Sequence, residues 1–252
     1  MFIRTESFKD FIRFYPVVSI IVALQVVIWL FTSLVPGWGE WLYYTGVGFN
    51  YGIEQGEYWR LVTPIFLHGG IAHLIFNSFS LILFAPALEQ MLGKVKFLFV
   101  YFAAGIAANV LTFFVVSDPF YAHVGASGAI FGLFGLYIFM IFFEKKLIDQ
   151  QSAQLIFIIS AVGLVMTFLR PNINITGHLF GFIAGFALGP IVLQNVKTFV
   201  PRPRRPRVRP GGVGFDPNRW NKKRYRWQPY IRKIIFWFFI ILVALGVIAR
   251  FF

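Results

Sequence analysis

The chain has 252 residues, 58% of them hydrophobic, 20% aromatic and only 13% charged, an apolar excess beyond what a soluble domain of this length needs to bury. The formal charge is +13 and there is no cysteine, which excludes a disulfide framework, a thiol nucleophile and cysteine-ligated metal. Strand-like alternation is absent, and the apolar runs are of helix-spanning length, so the expected fold class is an all-α polytopic membrane protein.

Residues 1–15 place Phe2, Phe8, Phe11, Ile12 and Phe14 among Arg4, Lys9 and Arg13, the composition of an interfacial amphipathic segment. It lacks a small-residue cleavage site, and the run behind it is long enough to span, which argues against a removable signal peptide. The lack of an Arg/Ser-rich transit segment points to a bacterial plasma membrane. Seven spans follow, at 16–35, 72–88, 94–116, 127–143, 154–170, 177–196 and 233–251. The first six form the expected core, 16–197, and the seventh lies in a C-terminal segment, 233–252. Between them, 198–232 is an extended linker rich in Pro and Arg, beginning Pro201-Arg202-Pro203-Arg204. From Lys197 to Lys233 there are 13 Lys/Arg against the single acid Asp216. Such a run can mark nucleic-acid binding, but between two spans it reads as a cytoplasmic anchor that attracts anionic lipid headgroups, and no nucleic-acid partner is expected. A cytoplasmic N-terminus puts 20 Lys/Arg inside and 3 outside, which orients the chain and places its C-terminus outside.

Polar residues inside spans are costly and therefore candidate functional groups. With this topology, spans two, four and six all begin at the outer face. His73 and Asn77 fall in the first turns of span two, Ser127 opens span four within Gly125-Ala126-Ser127-Gly128, and His178 heads span six. At about 1.5 Å per residue, Ser127 and His178 sit at nearly equal depth above Lys145 and Lys197. Spans four and six carry small residues at four-residue spacing, Gly128-Gly132 and Gly177-Gly181-Gly185, which lets helix backbones approach closely in lipid. Serine needs a base to become a nucleophile, and His178 is the available one. No acid lies between Asp149 and Asp216, so the expectation is a Ser127–His178 dyad without a third carboxylate, its imidazole oriented by packing against Phe131. His73 and Asn77 share a helix face and, with the Ser127 backbone N–H, are the candidate oxyanion donors.

Hydrolysis consumes water. The polar loop 116–124, with Asp118, Pro119 and His123, is expected to line a water-filled cavity, and Arg170-Pro171-Asn172-Ile173-Asn174 is a candidate mobile cap. A metalloprotease or zinc transporter built on His68, His73, His123 and His178 is the weaker reading, because there is no H-E-x-x-H pair and no acid near His73 or His178 in sequence. No metal and no cofactor are expected.

Taken together, Gly125-Ala126-Ser127-Gly128, a later His178 on a glycine-spaced helix and the earlier His73-x-x-x-Asn77 resemble the rhomboid intramembrane serine proteases. Glu57-Tyr58-Trp59-Arg60 looks like the family's Trp-Arg motif, and the resemblance covers about residues 15–197. It implies a rhomboid-like six-helix core plus one C-terminal helix, and cleavage of transmembrane protein substrates near the outer face without metal or cofactor. By the same resemblance Ser127 is the nucleophile, His178 the base, and His73, Asn77 and the Ser127 backbone the oxyanion donors, with Gly125, Gly128 and Phe131 in support. His68, Arg60 and Glu89 match structural positions. Phe131 stands where relatives often carry Tyr, which keeps the stacking and removes the hydroxyl. A catalytically inactive rhomboid-like binder or chaperone is the alternative; it would be expected to lack Ser127 or His178.

Overall fold

The computed structural model describes residues 1–2, 6–169 and 173–200. The seventh span, the linker from 201 onward and the Arg170, Pro171 and Asn172 part of the candidate cap lie outside the described residues. Helices α1 (Phe8–Phe14) and α2 (Pro16–Leu34) are followed by the short α3 (Trp38–Gly46), strand β1 (Gly48–Phe49) and α4 (Asn50–Glu54). Long helices α5 (Ile71–Leu92) and α6 (Lys94–Val115), strand β2 (Ala122–His123), and α7 (Ser127–Phe143), α8 (Gln150–Leu169) and α9 (Ile175–Val192) complete the order. Among the described residues five helices are long and apolar enough to cross a bilayer, and the 17-residue α7 is a shorter sixth. The chain is an all-α multi-pass membrane protein, as its composition required.

Helix boundaries follow local chemistry. Pro16 opens α2, where its missing N–H costs nothing. The buried Glu89 carboxylate accepts from the backbone N–H groups of Val17 and Val18, at 3.0 and 2.9 Å, so an acid on α5 caps the start of α2. That capping explains why α5 runs four residues beyond the expected end at 88: Glu89 points inward to a partner instead of closing the span. Similarly α8 begins at Gln150, four residues early, and α9 occupies Ile175–Val192 rather than 177–196. Beyond α9 the chain stays on the bundle, with Phe199 packed against the core and Gln90 Nε2 donating to the Val200 carbonyl at 2.7 Å. Residues 198–200 therefore belong with the helices rather than with the linker.

Two further departures concern short elements. Strands β1 and β2 pair antiparallel, Gly48 opposite His123 and Phe49 opposite Ala122; two residues per strand are too few for alternation to register in sequence. In the N-terminal segment, α1 leaves Phe8 and Ile12 exposed, as an interfacial helix would. Phe2 is instead buried, edge-on to Phe84 at 5.3 Å and to Tyr137 at 5.7 Å.

Helix α7 is the centre of the bundle. Every residue from Ala129 to Ile138 is buried, enclosed chiefly by α6 and α9. At about 1.5 Å per residue it is roughly 26 Å long, short of a hydrocarbon core of about 30 Å. A helix surrounded by other helices need not reach both interfaces. The face toward α9 is lined by glycine. A Cβ on Gly185 would collide with the Gly132 carbonyl oxygen, and one on Gly181 with that of Gly128. Gly185→Ala is therefore expected to push α7 and α9 apart and to lower the melting temperature in detergent by the equivalent of about 1–3 kcal/mol or more. An unchanged melting temperature would mean that the two backbones are not in contact.

Candidate functional site

The end of the bundle that carries Ser127 is organised by a knot of loops. Arg60, 7% exposed, donates through Nη1 to the Tyr44 and Val47 carbonyls at 2.9 Å each and pairs through Nε with Glu57. Asn50 Nδ2 donates to the Val116 and Asp118 carbonyls, at 2.8 and 3.0 Å. Asn109 Nδ2 donates to the Leu61 carbonyl at 2.9 Å, and its Oδ1 accepts from His123 Nε2 at 3.2 Å. The loop 116–124 is thus tied to the β1–α4 segment and to α6. The Gly125 N–H then donates to the Pro64 carbonyl at 2.9 Å, which fixes the approach to α7. Gly125 itself has φ +124°, a left-handed conformation closed to most side chains.

Ser127 is the first residue of α7, where backbone N–H groups are unpaired and the dipole favours negative charge. Next to it Gly128 packs against α9, a Cβ there lying 3.3 Å from the Gly177 carbonyl oxygen. Ser127 and His178 therefore flank the same backbone contact, one residue to either side of it. His178 is buried, and its ring stacks on Phe131 with centroids 4.2 Å apart and planes inclined by 22°. Asn174 caps α9 by accepting from the Gly177 N–H at 2.7 Å, which sets the turn that presents His178. His73 Nε2 and Ser127 Oγ lie 2.6 and 3.7 Å from the point that a Cβ on Gly125 would occupy, so α5 and α7 meet at this glycine.

Ser127, His178, Phe131, His73, Gly125 and Gly128 are thus brought together. Asn77, buried one turn along α5 from His73, donates to the His73 carbonyl at 3.0 Å and keeps a second amide hydrogen. The hydrogen bond of the His178 side chain runs from Nδ1 to Thr167 Oγ1, at 2.8 Å, and not to Ser127; without substrate such pairs are often long. Packing against Phe131 was the expected orienting device, and Thr167 adds a second. The rule that singled out His73 and Asn77 would have found Thr167, Thr112 and Asn109 had it been extended to every polar residue in a span. A hydroxyl raises little suspicion there, because it can bond its own helix. Among the described residues no three His, Asp or Glu side chains form a group that could hold a metal ion. A serine hydroxyl at a helix N-terminus beside a buried imidazole can support nucleophilic acyl transfer.

The comparisons with known proteins point the same way. A family model described as Rhomboid domain matches residues 55–195. The chain belongs to the rhomboid family. "Putative rhomboid protease YdcA" of Bacillus subtilis is 53% identical over 200 residues, covering 77% of this chain and 98% of that relative. Rhomboid protease GluP of the same organism is 42% identical over 134 residues, 53% of this chain and 26% of the relative. RHOMBOID-like protein 5 of Arabidopsis thaliana is 32% identical over 184 residues, 71% of this chain and 57% of the relative. The matched segment of this rhomboid chain contains His73, Asn77, Ser127 and His178, and also Arg60.

Two histidines of the loop knot carry a pH dependence. Burial holds the His68 imidazole at about 4, helped by the neighbouring His73, and burial alone holds His123 at about 4. Both are neutral in the fold and take up protons on unfolding below about pH 6.5. Their contribution to stability is therefore complete above that value and is lost as pH falls toward 4. The melting temperature should drop between about pH 7 and about pH 4.5, and His68→Gln should make that slope shallower. A slope unchanged by the substitution would mean that His68 is not held neutral.

Proposed function

We propose that this rhomboid protein is an intramembrane serine endopeptidase that hydrolyses peptide bonds in or near the transmembrane segments of other membrane proteins. The observation that supports this reading is the contact between Gly128 and Gly177, which Ser127 and His178 flank at the N-terminal ends of α7 and α9. Ser127 Oγ attacks the scissile carbonyl carbon while His178 takes its proton, and the same proton then passes to the leaving amine. The Ser127 backbone N–H, His73 and Asn77 stabilise the oxyanion. Presence of both Ser127 and His178 disfavours the inactive binder or chaperone. The charge asymmetry supports a cytoplasmic N-terminus, which puts cleavage near the outer face, and the basic linker then meets anionic lipid headgroups.

Ser127→Ala and His178→Ala are each expected to abolish cleavage of a transmembrane substrate in detergent, with the double variant scarcely worse because the two groups act as a unit. Additive losses would break up the dyad. His73→Ala and Asn77→Ala should lower kcat more than they raise KM, toward the lower end of the roughly 100- to 1,000-fold typical of an oxyanion donor, since backbone N–H groups compensate in part. Wild-type turnover in both would remove these residues from the site.

We also infer that the catalytic core ends by about residue 200. All proposed site residues precede α9's end, and the relative matched over 98% of its length is aligned to only 77% of this chain. A chain lacking residues 201–252 should keep its melting temperature and still cleave. Retained stability with lost cleavage would give the C-terminal segment a part in catalysis.

A further inference from the structure

The Thr167 hydroxyl, in the last turn of α8, lies 2.8 Å from the Gly163 carbonyl oxygen on its own helix and 2.8 Å from Nδ1 of His178. A hydroxyl has one proton and a carbonyl oxygen can only accept, so that proton goes to Gly163 and a lone pair faces the imidazole. Nδ1 must then carry the ring hydrogen, and Nε2 is left with its lone pair. Thr167 is 1% exposed and His178 9%, so water competes poorly for either atom. The same stretch of α8 also reaches Phe131: a Cβ on Gly163 would lie 3.2 Å from its Cζ. One turn of α8 thus supports the stacked Phe131 ring and also binds Nδ1.

We infer that Thr167 is a positioning residue that selects the Nδ1–H tautomer of His178 and so keeps Nε2 free to act as the base. The inference rests on the proposed Ser127–His178 dyad and deepens it. As Ser127 Oγ bonds to the carbonyl carbon, its proton moves to Nε2 and the carbonyl π pair moves to oxygen. When the tetrahedral species collapses, that pair re-forms the double bond, the C–N bond breaks, and Nε2–H protonates the amine. Through both steps Nδ1–H stays on Thr167 Oγ1 and the threonine proton stays on Gly163. A cation on His178 therefore meets an acceptor already in place, the part that a carboxylate plays in a triad.

The test compares Thr167→Val, which keeps the shape and loses the hydroxyl, with Thr167→Ser, which keeps the hydroxyl, in the full chain with a transmembrane substrate. Valine should lower kcat about 10- to 100-fold with little change in KM, and serine should restore most of it. Nitrogen NMR of histidine-labelled protein, with the His178 signals identified by their loss in His178→Ala, should show protonated Nδ1 in the wild type and a shift toward protonated Nε2 in Thr167→Val. If valine destabilises the fold, Thr167→Ala against Thr167→Ser isolates the hydroxyl, because both variants lack the γ-methyl. Wild-type kcat in the hydroxyl-free variants, or an unchanged tautomer, overturns the inference. Cleavage surviving in Ser127→Ala would instead overturn the dyad itself, whatever Thr167 does.

Discussion

The contact on which the rest depends is between two backbones. Helices α7 and α9 approach so closely that carbonyl oxygens of Gly128 and Gly132 occupy the space where side chains on Gly181 and Gly185 would stand. In lipid, water provides no hydrophobic drive for helices to associate, so packing of this kind and buried hydrogen bonds must supply it. The consequence reaches beyond stability. With no side chain between the helices, Gly128 also meets the Gly177 carbonyl, and the residues that flank this contact are Ser127 and His178. A glycine stripe that reads as packing also sets the spacing of the candidate site.

Several buried polar groups elsewhere tie the helices and loops together through hydrogen bonds. Glu89 caps α2, Gln25 donates to Tyr101 and to the Ile65 carbonyl, and Arg60 satisfies carbonyls of the α3–β1 loop. The ties of Glu89 and Arg60 lie at helix ends, where backbone groups are unpaired, and that of Gln25 joins the interiors of α2 and α6. The loop knot around Arg60 does for the approach to Gly125 what glycine does for the helices. It holds the Gly125 turn at +124°, which only glycine adopts readily, in one place so that His73 can lie against it.

Much of this was legible in the sequence because the bilayer leaves few alternatives. Runs of about 20 apolar residues can only be helices, and the polar residues inside them stood out against that background. The α7 boundaries, Ser127 to Phe143, were read to the residue. The ends of α5 and α8 are harder to read, because charged and amide side chains interrupt the apolar run there, and nothing in the pattern shows that Glu89 faces inward. The loop knot was invisible for a different reason. Its bonds run from side chains to backbone carbonyls 13 to 68 residues away, and carbonyls carry no sequence signal. Short α3 and the two-residue strands are fixed by those bonds rather than by propensity or pattern.

Thr167 shows the limit of reading by residue type. In a low-dielectric interior, a carboxylate beside the imidazole would carry a desolvation cost of several kcal/mol. A threonine avoids that cost, since its proton is absorbed by the carbonyl four residues back and its lone pair remains to be used. The device is economical because the helix itself completes the hydrogen-bond chain, and for the same reason it leaves no mark: a threonine near the end of an apolar helix is an ordinary thing to see. Only the position of His178, brought to it by the turn that Asn174 caps, gives that hydroxyl a second partner. A site assembled from backbone contacts and hydroxyls can therefore orient a base inside a membrane without placing any charge there before the reaction begins.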